Sequence, residues 1–223
     1  LKNLVKNFKK LSLIIKNFKY SSKKIQINFE DSRFNELRKD SIDYIITSPP
    51  YINVFNYHQY YREGVEKLNF PVLKIAQSEI GSNRKFRSNR FLTIIQYCLD
   101  IDILFKSFKK ILKNKNLVII IIGRESNVRG VSIKNTDFIE EIAKLNHFTH
   151  ELTLERSFIN KYGKKIFEDI LFYKVKKIEL NNSIIELKEF IKKKLQYLLR
   201  LKVKTDVKND ILSAINNLNE VKH

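Results

Sequence analysis

The stretch SIDYIITSPPY, residues 41 to 51, constrains this chain more than any other. A compact β-branched run stops dead at Pro49, where two of the chain's three prolines stand side by side. Proline has no N–H to give to a ladder and fixes its own φ, so a strand ends at such a pair. The run before it is apolar without clean alternation, which is the pattern of a strand buried on both faces in a parallel sheet. The corner is stiff, and its carbonyls are left as outward-facing acceptors; Ser48 adds a hydroxyl and Tyr51 a flat ring. Acceptors beside a stacking ring suit a planar molecule that bears an amino group. Aimed at the hydrogens of that group, they pull charge onto the nitrogen as it turns tetrahedral in attacking an electrophile. An amino group on a base is out of reach inside a duplex, so the base would have to be flipped into the corner.

The rest of the chain supplies a frame for that corner. KIQINFED, residues 24 to 31, alternates and reads as a first strand, followed by SRFNELRKDS as a short helix or turn. Residues 52 to 90 are polar and aromatic without period and read as a long functional loop with some helix. FLTIIQYCLDIDILFKSFKKILK, residues 91 to 113, has helical spacing and C-terminal lysines that suit a helix end. NLVIIIIG, residues 116 to 123, is a second fully buried strand, and NTDFIEEIAKLN, residues 135 to 146, opens with cap residues and runs as a helix. FTHELTLERSF and FEDILFYKV alternate about KYGKK and form a closing antiparallel pair. Three segments follow: a basic amphipathic helix over residues 1 to 23, an α/β body over 24 to 175, and a helical basic tail over 176 to 223. The order is that of an α/β fold with a mostly parallel sheet. Ligands of open α/β sheets bind beyond the carboxyl ends of the strands, where Ser48 to Tyr51 and GRESNVRG, residues 123 to 130, both fall.

Charge narrows the class of partner. A net charge of +19 points to a polyanion, nucleic acid before an anionic membrane surface, although the joint enrichment of lysine, asparagine and isoleucine is also what an AT-rich coding sequence produces. SNRKFRSNR, residues 82 to 90, departs from that bias by using arginine. Arg84, Lys85, Arg87 and Arg90, with Asn83 and Asn89 between them, are donors for phosphates and base edges, against the alternative of a solvated loop. Arg124 could pair with Glu125 or face the pocket. The opening helix reads as packed on a larger body rather than lying on a membrane, and no run reaches the roughly 18 apolar residues of a membrane span. A single cysteine, Cys98, excludes a disulfide framework within the chain, fits a reducing, cytoplasmic setting and sits mid-helix as a core residue. His147, His150 and Glu151 lack the further ligands of a metal site and read as surface residues. The absence of methionine even at position 1 reads as a non-standard start or as a piece of something longer.

TSPPY resembles the catalytic motif of S-adenosylmethionine-dependent DNA amino-methyltransferases, which carry Asp, Asn or Ser before Pro-Pro and an aromatic residue. Its serine form is most similar to the cytosine-N4 enzymes of restriction-modification systems. EDSRF ahead of the strand, SEIGSNRKFRSNRFLTIIQYCLD after it and VIIIIGRESNVRG further on extend the resemblance over residues 24 to 175. The resemblance implies part of a Rossmann-like class I methyltransferase sheet, mostly parallel with an antiparallel closing pair, plus a helical C-terminal tail. It implies that Ser48 and the Pro49 carbonyl hold the target amino group, that Pro50 completes the corner and that Tyr51 stacks on the flipped base. It puts Asp31 and Thr47 against the cofactor, S-adenosylmethionine, with an acidic cap on the following turn as the other reading of Asp31. Arg84, Lys85, Arg87, Asn89, Arg90 and Arg124 become contacts to double-stranded DNA, and a cognate restriction endonuclease becomes an expected partner. Carbon-5 methylation of cytosine is excluded, because it needs a nucleophilic cysteine after proline and no Pro-Cys occurs.

The chain departs from the family at the cofactor. The glycine-rich turn has no counterpart among Gly64, Gly81, Gly123, Gly130 and Gly163, and there is no glycine before residue 24 or after residue 175. The expectation is a carboxyl-terminal part whose cofactor half lies on a second polypeptide or was lost, and which binds S-adenosylmethionine weakly or not at all alone. Adenine-N6 methylation, methylation of RNA or of protein glutamine, and a noncatalytic DNA-binding remnant are the alternatives.

Overall fold

A computed structural model describes residues 2–18, 22–28, 30–52, 57–81, 86, 88–160, 162–178 and 183–221. The chain divides into two units, Leu1–Glu30 and Asp31–His223.

The first unit consists of one helix, α1 (Lys2–Asn17), and an irregular segment. α1 is amphipathic in sequence but has no buried residue; Leu4, Phe8 and Leu11 are exposed. The strand expected over residues 24 to 31 does not form: its described residues are irregular, with Ile25 and Ile27 more than four-fifths exposed. Alternation alone cannot hold a strand, whose N–H and C=O groups need a ladder neighbour and whose apolar side needs a surface to cover.

The second unit opens with a 3₁₀ turn, Ser32–Phe34, and then β1 (Ile42–Thr47). Three short helices follow, α2 (Tyr57–Tyr60), α3 (Arg62–Lys67) and α4 (Val72–Ser78), and supply the helical part of the long loop. α5 (Arg90–Ile111) is buried on nearly every side, because its sequence is apolar all round rather than striped. It leads into β2 (Leu112–Gly123), the hairpin β3 (Glu125–Val128) and β4 (Val131–Lys134), and α6 (Asn135–Leu145). The long antiparallel pair β5 (Phe148–Ile159) and β6 (Lys165–Val175) precedes α7 (Ser183–Leu199) and α8 (Thr205–Asn216).

The main sheet runs β1-β2-β6-β5. β1 and β2 are parallel, with Ile46 opposite Ile119 and Thr47 opposite Ile120; β6 is antiparallel to β2 and to β5. The class is therefore α/β with the expected antiparallel closing pair, but the sheet is partly rather than mostly parallel: β1–β2 is its parallel ladder, while β2–β6 and β5–β6 are antiparallel. Alternation divides the sheet into two faces. Val118, Ile120, Ile122, Leu171, Tyr173 and Val175 point to one face and join a core that includes α5 and α6. Tyr44, Ile46, Leu152 and Leu154 point the other way and are exposed, although four of the residues between them are also apolar: Leu117, Ile119, Ile170 and Phe172. The basic tail is part of the same core through Leu187, Ile191 and Leu195 of α7 and Val207 and Ile211 of α8.

Candidate active site

β1 and β2 are parallel, so both deliver their carboxyl ends to one edge of the sheet. β1 ends at Thr47 and passes into Ser48, which is exposed, Pro49, which is buried, and Tyr51, which is half-buried; Ile52 then anchors the corner in the core. β2 ends at Gly123. The absence of a side chain there is what admits Tyr51: a β-carbon on Gly123 would stand 2.7 Å from Tyr51 Cε2 and 2.9 Å from Cδ2. The Gly123 carbonyl is fixed in turn by Asn135, whose Nδ2 donates to it at 2.7 Å and to Ser126 Oγ at 2.9 Å.

The Tyr51 hydroxyl reaches the neighbouring strand. It donates to Glu168 Oε1 at 3.2 Å, and Glu168 lies directly opposite Gly123 in the ladder. Glu168 is 9% exposed, and Arg156, its ladder partner on β5, donates to its other oxygen through Nε at 2.9 Å and through Nη2. Burial raises the Tyr51 phenol above its ordinary pKa; a hydrogen bond with the Ser48 side chain opposes this, and the negative charge of Glu168 adds to it. The ring of Tyr51 is thus held against Gly123 on one side and by Glu168 at its tip. Tyr97 lies fully buried, and its hydroxyl has no hydrogen-bond partner among the described residues.

Asp31 does not end a strand. It caps the 3₁₀ turn, accepting from Arg33 N at 3.0 Å, and forms an ion pair with Arg33 at 2.6 Å. Arg33 also donates to Asp100 Oδ1 at 2.5 Å and to the Ser78 carbonyl at 2.7 Å, while Asp100 Oδ2 accepts from Gly81 N at 2.7 Å. One buried guanidinium therefore joins the start of the unit and the entry to the arginine-rich loop to α5. Thr47 is half-buried at the end of β1.

The expected nucleic-acid contacts fall in different places. Arg84, Lys85 and Arg87 lie outside the described residues. Asn89 is 6% exposed; its Oδ1 accepts from Phe91 N to cap α5 and its Nδ2 donates to the Asp210 carbonyl at 2.8 Å. Both ends of its amide are used within the protein, so Asn89 is a helix cap and does not read a base edge. Arg90 is half-buried at the first position of α5. Arg124 does not pair with Glu125: it binds Asp169 at 2.6 Å and Glu155, and lies over the Phe167 ring at 5.1 Å. Those two carboxylates hold its guanidinium above its ordinary pKa, chiefly through the hydrogen bonds it donates to Asp169.

Sequence reasoning misses Glu168 and Arg156. Their signal is a pair of acids, Glu168 and Asp169, inside the otherwise apolar FEDILFY strand. The GRESNVRG stretch is likewise a hairpin rather than an open loop, with Arg129 and Gly130 both at positive φ as a two-residue turn requires. Cys98 is fully buried, and burial pushes its thiol well up, which suits a core residue and not a nucleophile. The ends of β1 and β2 do not form a glycine-rich turn into a helix: β1 leaves into prolines, and the glycine that ends β2 leads into β3.

No protein-family model matches the chain, and the comparison with curated proteins gives no match. Among solved structures it is similar to S-adenosylmethionine-dependent methyltransferases from Methanosarcina mazei, with 8% identity and a TM-score of 0.37 over 68% of this chain and 66% of the other. It is similar to a candidate DNA modification methylase from Thermus thermophilus, with 13% identity and a TM-score of 0.41 over 79% of this chain and 65% of the other. That protein in complex with S-adenosyl-L-methionine aligns with 14% identity and a TM-score of 0.41, over 80% of this chain and 67% of the other. The chain thus spans about two thirds of the length of these structures.

Proposed function

We propose that this chain is the target-base part of a DNA amino-methyltransferase that modifies the exocyclic amino group of a flipped base, with cytosine-N4 as the target. The observation that carries the reading is the corner itself. Ser48, the Pro49 carbonyl and the Tyr51 ring stand together beyond the carboxyl end of β1, beside a strand that ends in glycine. Such a corner binds a planar amino-bearing group through acceptors at the nitrogen and a ring at the face. Ser48 and the Pro49 carbonyl accept the two amino hydrogens and draw charge onto the nitrogen as it attacks, Pro50 keeps the corner stiff, and Tyr51 stacks on the base. The serine form supports N4 over adenine-N6, and the absence of Pro-Cys speaks against carbon-5 of cytosine.

Double-stranded DNA is the partner that the net charge and the arginines of residues 84 to 90 favour. The chemistry of the methyl group belongs to S-adenosylmethionine, for which these residues build no glycine cradle. In this reading Thr47 and Asp31, whose carboxylate is held by Arg33, face the donor. The donor half comes from residues outside these 223, and the outer edge of β1, which has no ladder neighbour among the described residues, is where it would join the sheet.

DNA from cells that make this chain alone, or together with a glycine-motif polypeptide encoded beside it, tests the reading through nucleoside mass spectrometry. N4-methylcytosine is expected when both are made. Its absence from both samples would overturn the proposal.

A further inference from the structure

We infer that Glu168 is a positioning residue for the base pocket, one that sets the angle of the Tyr51 ring by holding its hydroxyl. The inference rests on the base-pocket reading of Tyr51 and adds a residue on a different strand to it.

The geometry is a three-point clamp. The main chain of Tyr51 is fixed by the proline corner before it and by fully buried Ile52 after it. One side of the ring meets Gly123, where even a methyl group would come within 2.7 Å. The tip is held 3.2 Å from Glu168 Oε1. A tyrosine has only two side-chain torsions to fix, and a ring caught at its root, its side and its tip keeps one orientation. A stacking surface that is fixed before the ligand arrives saves the ordering that binding would otherwise require.

Glu168 is itself fixed. Its residue is 9% exposed, so a carboxylate here must be paired or hydrogen-bonded to remain charged. Arg156 meets that need from β5, in ladder register with Glu168, and its guanidinium also lies 6.0 Å from the Phe158 ring. Because Arg156 binds Oε2 while Tyr51 donates to Oε1, the two sides of the carboxylate have separate tasks. The chain Arg156–Glu168–Tyr51 therefore runs from the outer strand β5 across β6 to the corner after β1. The neighbouring Asp169 has its own partner in Arg124, so the described partners of the Glu168 carboxylate are Arg156 and Tyr51. The phenol keeps its proton at neutral pH, with burial and the charge of Glu168 both raising its pKa, and so remains a donor to the carboxylate.

Nuclear magnetic resonance of protein labelled with ¹³C at the tyrosine ζ carbon tests the inference, with the Tyr51 signal assigned by its loss in Tyr51→Phe. In the wild type, deoxycytidine 5′-monophosphate should perturb that signal as it stacks. Glu168→Ala should move the Tyr51 signal toward those of exposed tyrosines without any ligand, and weaken nucleotide binding about tenfold, the size of one lost hydrogen bond. Glu168→Gln keeps an acceptor oxygen and should restore most of both effects. Arg156→Ala, a change at a side chain already 56% exposed, should give an intermediate shift in a folded protein. An unmoved Tyr51 signal in Glu168→Ala and in Arg156→Ala overturns the inference alone. A wild-type Tyr51 signal indifferent to the nucleotide, with the variants shifted as expected, overturns the base-pocket reading and removes the positioning role with it.

Discussion

Gly123 and Tyr51 approach each other so closely that no side chain fits between them: a β-carbon on Gly123 would stand 2.7 Å from Tyr51 Cε2. Gly123 sits in the ladder opposite Glu168 and does not need positive φ, so the constraint is one of space alone. Gly123→Ala is therefore expected to leave the fold in place and to displace the Tyr51 ring, which can swing at its far end more easily than the strand can move. The expected result is a melting temperature within about 4 °C of wild type with base modification lost. Full modification in this variant would show that the ring does not need its present seat.

The Arg33 guanidinium stands between Asp31 and Asp100, with side chains 9% exposed at Arg33 and 2% at Asp100. Removing one partner of a buried pair leaves an uncompensated charge and costs about 3–5 kcal/mol. For a unit of this size that corresponds to a fall of roughly 6–20 °C in melting temperature. Arg33→Leu, followed by circular dichroism on heating, should fall in that range. A loss of under about 2 °C would mean that the network does not hold the turn and the loop entry to α5.

Acid should weaken the same region. Burial tends to raise the Asp31 pKa, but the hydrogen bonds and charge of Arg33 outweigh it and leave it below the ordinary value; Asp137 behaves likewise with Lys194. A carboxylate held low when folded contributes stability that is complete above its unfolded value of about 3.9 and is lost as pH falls through the folded value. Urea midpoints measured against pH should thus be flat with respect to these groups above about pH 5 and decline below about pH 4. Asp31→Asn should flatten part of that decline; an unchanged slope in this variant would contradict the assignment.

Asn89 distinguishes a cap from a DNA contact. Asn89→Ala removes the acceptor at the start of α5 and should cost about 1 kcal/mol, seen as a lower melting temperature. The base preference of DNA binding should be unchanged, because the Asn89 amide is used within the protein. A relaxed base preference with unaltered stability would reverse the assignment.

Much of this fold is readable where a pattern carries its own partner. SIDYIIT and NLVIIIIG announce strands by their runs, and they pair with each other, but β1 is not buried on both faces as its run suggests, since Tyr44 and Ile46 are exposed; the two alternating stretches about KYGKK pair with each other too. KIQINFED has the same alternation but no ladder, and the two exposed isoleucines show why alternation alone is insufficient. The hairpin β3–β4 is hidden in the sequence because each strand is only four residues long and its turn, Arg129-Gly130, is not one of the common hairpin pairs. At the site, Ser48 to Tyr51 can be read from adjacent residues. Glu168 cannot be tied to Tyr51 in that way, because their meeting depends on the register of β6 against β2 across 117 positions of sequence. The capping role of Asn89 is equally remote, since its amide is completed by the Asp210 carbonyl of α8.

The most direct test of the central claim is the double variant Ser48→Ala/Tyr51→Ala, produced with the donor half and compared with wild type by nucleoside mass spectrometry and by duplex binding. N4-methylcytosine should disappear while binding to duplex DNA is retained. Modification equal to wild type in the double variant would contradict it.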